Sequence, residues 1–160
     1  MKRTFFWLIG AVCVVGSALA LIWGTGLLGR PPRVQVIHAG QNFTIPLSEV
    51  NEIPKFFPIE VDGTKMEVIA VKDSLGNVRT AFNTCQSCYA SGKGYYEIEG
   101  NKLICQNCGA QFTAEQVETS VGGCNPLPIF AENKIVSGGT IQIPYDYLKD
   151  VAGLFSNWKP

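Results

Sequence analysis

Cys85-Gln86-Ser87-Cys88 and Cys105-Gln106-Asn107-Cys108 are two C-x2-C pairs separated by sixteen residues. That spacing lies within the range of four-thiolate metal sites. Two thiols three positions apart on a tight turn can face one ion. A second turn, brought up by a hairpin, closes the tetrahedron. Zinc and iron–sulfur clusters both accept four thiolates, so the spacing predicts a metal or cluster held by Cys85, Cys88, Cys105 and Cys108 without choosing between them. Gly109 permits positive φ directly after Cys108, which lets nearby N–H groups turn toward sulfur; Tyr89 denies Cys88 the same device. The competing readings are a pair of disulfides, common outside the membrane, and a dithiol redox role. A thioredoxin-like motif would open a helix, whereas Ser91-Gly92-Lys93-Gly94 after Cys88 argues for a loop.

Cys124 stands in Gly122-Gly123-Cys124-Asn125-Pro126, with Pro128 just beyond. The glycines and prolines predict a fixed turn that can approach the site. Cys124 is read first as a packed structural thiol, with fifth ligand, replacement ligand and disulfide partner as the alternatives. Cys13 is read as an ordinary small buried residue. The single histidine, His38, lacks a neighbouring Asp or Ser motif and reads as a strand-end or loop residue. Glu97 and Glu99 alternate with Tyr96 and Ile98, which predicts a solvated strand face and not a catalytic carboxylate pair. Gly92-Lys93-Gly94 is too short for a phosphate cradle and serves as a turn between the cysteine pairs. Tyr89, Tyr95 and Tyr96 fit either shielding of the site or strand packing.

The elements that must position these thiols read as short strands. Arg33–His38 and Phe43–Pro46 are candidates, the second pairing nearby. Phe57–Val61, Asp62-Gly63 and Lys65–Val71 form a hairpin signature. A turn at Asp73–Asn77 leads into Val78–Phe82. Tyr95–Ile98 and Lys102–Cys105 flank a turn at Glu99-Gly100-Asn101, and this hairpin brings the two cysteine pairs together. Thr140–Ile143 precedes a C-terminal helix carrying Tyr147, Leu148, Val151, Leu154, Phe155 and Trp158 on one face, with Asp146 as its cap. Ile45-Pro46 and Ile143-Pro144 repeat one local pattern, a strand followed by proline and the start of a helical turn.

The 160-residue chain holds 13 basic and 13 acidic residues, so no net field attracts a polyanion, and nucleic acid is excluded as a partner. Charged residues are 16% of the total and hydrophobic residues 46%, too apolar for a disordered chain. The excess is concentrated in residues 5–29, which carry no Asp, Glu, Lys, Arg or His. As a helix this stretch would reach roughly 37 Å, enough for a ~30 Å hydrocarbon core. Trp7 and Trp23 suit the two interfaces, and Lys2 and Arg3 hold the short flank in the cytoplasm. The sequence thus predicts an N-terminal membrane anchor over residues 1–30 that contacts lipid through residues 5–29. A cleaved signal ending at Ala18-Leu19-Ala20 is the alternative. Either delivers residues 31–160 to the extracytoplasmic side as one mainly β domain, after the Pro31-Pro32 break.

The residues from Ala81 to Ile129 resemble the FtrD-like family of membrane iron–sulfur proteins. Ala81-Phe82, the Cys85/Cys88 pair, Lys93-Gly94-Tyr95, the Cys105/Cys108-Gly109 pair, Phe112 and Gly122-Gly123-Cys124-Asn125-Pro126 carry the resemblance. It implies an iron–sulfur protein of a bacterial membrane iron-uptake assembly that passes electrons to a partner protein. Cys105-x2-Cys108-Gly109-x2-Phe112, with Gly123 and Pro126-Leu127-Pro128, is also similar to the second cluster loop and proline loop of Rieske proteins. Rieske centres need two histidines, so a Rieske centre itself is excluded. That resemblance implies an all-cysteine [2Fe–2S] cluster in a related β-fold, with a potential near the ~−400 mV of plant-type ferredoxins. The expected fold is therefore an anchor followed by a small Rieske-like or rubredoxin/zinc-ribbon-like β domain with a short C-terminal helix. The expected role is electron carriage at the cell membrane, not catalysis. The alternative is a structural zinc module for protein–protein contact.

Overall fold

A computed structural model describes residues 33–160. The expected anchor, Cys13 within it and the cleavage alternative lie outside the described residues. Among the described residues no helix is long and apolar enough to cross a membrane.

Among the described residues, eleven strands form three small sheets. The first holds β1 (Gln35–Ile37), β3 (Lys55–Val61), β4 (Thr64–Lys72), β5 (Val78–Cys85) and β9 (Pro126–Pro128), in the order β1-β3-β4-β5-β9. The second places β11 (Thr140–Ile143) between β10 (Ile135–Ser137) and β2 (Phe43–Pro46). The third is β6 (Tyr96–Glu99), β7 (Lys102–Cys105) and β8 (Gln111–Phe112). The β3–β4 hairpin turns on Asp62 and Gly63, with φ of 48° and 82°, the left-handed pair that a two-residue hairpin turn requires.

Along β4 and β5 the first sheet is buried on both faces, which explains the unbroken apolar run Val68–Val71. Val68 and Ala70 join Phe82 in one core, together with Ile45, Ile141, Leu148 and Phe155. Ile69 and Val71 join Ala81 in a second core that contains Cys85, Cys88 and Cys105. Successive strand residues point to opposite faces, so one strand serves both the general core and the cysteine layer. Tyr95 and Tyr96 divide in the same way. Tyr95 stacks edge-on against Trp158, with centroids 6.4 Å apart, while Tyr96 packs on Phe112 at 5.9 Å. Both cores are built mainly from apolar side chains, and their burial supplies the main favourable term for holding the fold.

Three sequence expectations change in detail. Phe43–Pro46 pairs not with a nearby strand but with β11, placing Ile45 opposite Ile141 and Phe43 opposite Ile143. The two halves of the repeated strand-proline pattern are thus antiparallel neighbours. The C-terminal helix α1 covers only Tyr145–Val151 and tightens into a 3-10 turn over Ala152–Phe155. Gly153, a poor helix former, sits in that tightened turn. Pro144 occupies the cap position, and Asp146 lies in the first turn. Proline's fixed φ suits this entry without a side-chain cap.

Candidate metal centre

The two C-x2-C turns close two strands that meet at one end of the second core. The first follows β5, where the Cys88 N–H bonds the Cys85 carbonyl at 3.2 Å. The second follows β7, where the Gly109 N–H bonds the Cys105 carbonyl at 2.8 Å. Cys85 N–H reaches back to the Gly94 carbonyl at 2.7 Å, and Gln106 N–H to the Tyr95 carbonyl at 2.9 Å. Residue 94 must be glycine for this closure. A Cβ there would press on the Cys88 carbonyl oxygen and lie 2.6 Å from the Tyr89 Cα. The C-terminal segment secures the same loop from behind: Asn157 accepts from Gly92 N–H through its carbonyl and donates its side-chain amide to the Ala90 carbonyl, both at 2.8 Å.

All four predicted ligands come together, and Cys124 joins them. The five are free thiols, so the disulfide reading does not describe their arrangement. The sulfurs of Cys85, Cys88 and Cys105 lie within 4.8 Å of one another, as do those of Cys88, Cys108 and Cys124. Cys88 belongs to both trios. The first trio is buried, whereas Cys108 is exposed and Cys124 half-buried. The cluster therefore has an inner side facing the core and an outer side facing solvent.

Polar groups gather at the sulfurs, and the Asn107 side chain donates directly to one of them, Cys88 Sγ. Beside Cys85, the Tyr96 hydroxyl and the backbone N–H groups of Ser87 and Cys88 favour the ionised sulfur. The backbone N–H groups of Cys108 and Asn107 act in the same direction on Cys105. At Gly109, φ is 74°, the positive value the sequence expects there, and the Ala110 N–H that follows favours the ionised form of Cys108. Cys88 lacks a following glycine, and Asn107 compensates by donating its side-chain Nδ2 at 3.2 Å. The titration of the thiols follows these contacts. The Ala110 N–H, above all, brings Cys108 down to about 7. Burial pushes Cys105 up to about 12, and the contact with Cys108 does the same for Cys124. Burial raises Cys88; it also opposes ionisation of Cys85, but the Tyr96 hydroxyl and the backbone donors outweigh it and leave Cys85 lowered.

Cys124 is held in place by the first cysteine turn. The Gly122 N–H donates to Gln86 Oε1 at 3.0 Å, Ser87 Oγ donates to the Gly123 carbonyl at 2.6 Å, and Gln86 N–H donates to the Asn125 carbonyl at 3.3 Å. The Tyr96 hydroxyl bonds the Cys124 carbonyl. Tyr96 itself is fixed by buried Asn83, whose side-chain amide accepts from Tyr96 N–H at 2.7 Å and donates to its carbonyl at 3.3 Å. Between Cys108 and Cys124 the chain is braced by Glu118, which pairs with nearly buried Lys134 at 2.5 Å and accepts the Thr80 N–H at 2.8 Å.

Asn83, Gln86, Ser87, Tyr96 and Asn107 thus do positioning work that the cysteine spacing alone did not assign. The signal available was that Gln86, Ser87 and Asn107 are three of the four polar residues between the paired cysteines. The remaining candidates stay outside the site. His38 is exposed just past β1, and Glu97 and Glu99 form a solvated face of β6. Tyr96 is fully buried in the cysteine layer, Tyr95 belongs to the other core, and Tyr89 is exposed.

An all-sulfur donor set with N–H groups directed at the sulfurs fits a soft metal or an iron–sulfur cluster, and excludes hard-cation sites, which want oxygen. The fold and the site define a small β protein with a thiolate metal centre. The chain belongs to the FtrD-like family: the family model described as membrane iron-sulfur containing protein FtrD-like matches residues 51–155, well over half of the sequence and every cysteine of the cluster. No curated protein and no solved structure matches the chain. The centre is accordingly an iron–sulfur cluster held by the clustered cysteines 85, 88, 105, 108 and 124.

Proposed function

We propose that the protein is a one-electron carrier at the cell membrane. Residues 5–29 would anchor it, and the described domain would stand on the extracytoplasmic side and serve a redox or iron-transport partner protein. It transfers electrons and does not transform a substrate of its own. The family's description supplies the iron–sulfur centre and the membrane. The carrier role, the iron-uptake setting and the partner are our reading.

The observation that carries the reading is the pair of sulfur trios joined at Cys88. Four thiolates around one ion at a Zn–S distance of about 2.3 Å would all lie ~3.8 Å apart. Five sulfurs in two overlapping trios spread beyond one such tetrahedron, which supports a cluster over a single zinc; we take the cluster to be [2Fe–2S], which needs four thiolates. Such a cluster takes up and releases one electron. The protein's part is to bury one side behind Tyr96 and Leu103 and to leave the other at the surface through exposed Cys108. Four thiolates, with no neutral imidazole among them, concentrate negative charge and favour the oxidised state, so the potential should lie near ~−400 mV.

The test is a redox titration of the full chain, purified anaerobically in detergent and followed by visible absorption and electron paramagnetic resonance. A reversible one-electron bleach near that potential supports the carrier. A colourless protein holding one zinc, whose removal unfolds the domain, would establish the structural zinc module instead.

A further inference from the structure

We infer that Cys108 and Cys124 are interchangeable ligands at the outer side of the cluster, so that either can complete the coordination while the other waits as a thiol. The inference rests on the iron–sulfur reading and concerns which sulfurs serve it. Cys108 and Cys124 lie in the same trio, each within 4.8 Å of the other and of Cys88. The inner trio includes neither of them. Cys85, Cys88 and Cys105 supply three thiolates, and a four-thiolate cluster needs one more, for which two candidates converge.

Chance proximity does not account for Cys124. Its loop is bound to the first cysteine turn through Gln86 and Ser87, and to the inner wall through Tyr96. Four hydrogen bonds that position one thiol beside a complete C-x2-C pair indicate a second seat at the metal. Both candidates also sit on the accessible side, where a ligand can leave without opening the core. The inner thiols are less free to do this, because Cys85, Cys88 and Cys105 are all buried.

The exchange balances without an oxidant. The Cys108–iron bond breaks and its thiolate takes a proton; Cys124 gives up its proton and forms the new sulfur–iron bond. Net charge and electron count are unchanged. The swap moves the surface ligand from one loop to another, and with it the group that a docking partner meets.

The experiment compares the full-length wild type with C108A, C124A, C108A/C124A and C105A, all prepared anaerobically in detergent, with C108S alongside as the near-isosteric control. Iron and acid-labile sulfide per chain and the paramagnetic spectrum of the reduced protein are measured, with circular dichroism to report folding. The two single variants should keep wild-type iron and sulfide and show different g values. The double variant and C105A should each lose cluster content by at least about tenfold. Loss of the cluster in both C108A and C108S, with C124A unchanged in content and spectrum, would overturn the exchange in favour of a fixed ligand set. Loss in C124A alone would overturn it as well. A wild type that carries zinc and no sulfide would defeat the iron–sulfur reading separately, and the zinc contents of the same variants would still decide the exchange.

Discussion

Asn107 donates its side-chain amide to the sulfur of Cys88 across the gap between the two cysteine turns, at 3.2 Å. The second turn therefore supplies the first with the N–H that Tyr89, in the place of a glycine, leaves missing. A donor to sulfur withdraws charge and eases reduction. The variant N107D replaces that donor with a carboxylate. We expect it to lower the reduction potential and weaken cluster retention, with N107A intermediate in both; potentiometry of the two variants checks the order. A potential that rises in N107D would contradict the assigned bond.

Asn83 has a different task, because it stands in for strand pairing between β5 and β6. Its one side chain satisfies both the N–H and the C=O of Tyr96 inside the cysteine layer. The variant N83A would orphan both groups, at a cost of about 1–3 kcal/mol each. The denaturation midpoint should fall accordingly. The cluster should be lost at lower denaturant than in the wild type, since Tyr96 would no longer hold the Cys124 loop.

Gly94 tests the closure of the first turn. In G94A the added Cβ would press on the backbone of Cys88 and Tyr89, which cannot yield as a flexible side chain can. Expected are a displaced Cys88, a marked drop in iron per chain, and little change in the strand content seen by circular dichroism. Full iron content in G94A would show that the loop has room to spare.

These relationships show where sequence reasoning reached and where it stopped. The β3–β4 and β6–β7 hairpins were legible because each is local and carries its own turn residues. The convergence of four cysteines followed from the second hairpin. Pairing of β2 with β11 was not legible, since residues 43 and 143 meet only through the shared core and no local signal encodes the partner. The strand Pro126–Pro128 was equally obscure, because prolines read as a turn, yet it pairs with β5 at the sheet edge. Cys124 was visible as a thiol on a constrained turn. Its clamps were not, because Gln86 and Ser87 resemble any polar loop residues until their partners are placed.

Acid should loosen the β4–β5 turn. Buried Asp73 accepts from Leu75 N–H, Asn77 N–H and the Asn77 side chain at 2.8–3.0 Å, and pairs with Arg79 at 3.0 Å. These contacts, the Asn77 side chain foremost, hold its pKa below the ordinary carboxylate value. A carboxyl lowered in the folded state stabilises it fully above the unfolded value of roughly 3.9 and loses that contribution as pH falls through the folded value. D73N should therefore melt below the wild type at neutral pH. The gap between their melting temperatures should close on acidification below about 4. A gap that persists unchanged at lower pH would assign the stability to something other than the ionised carboxylate.

The most direct measurement is the ratio of iron, acid-labile sulfide and zinc per chain in the anaerobically purified full-length protein. A [2Fe–2S] centre predicts equal amounts of iron and sulfide, about two of each, with zinc negligible. Zinc at one per chain with neither iron nor sulfide would contradict the account at its root, however well the thiols converge.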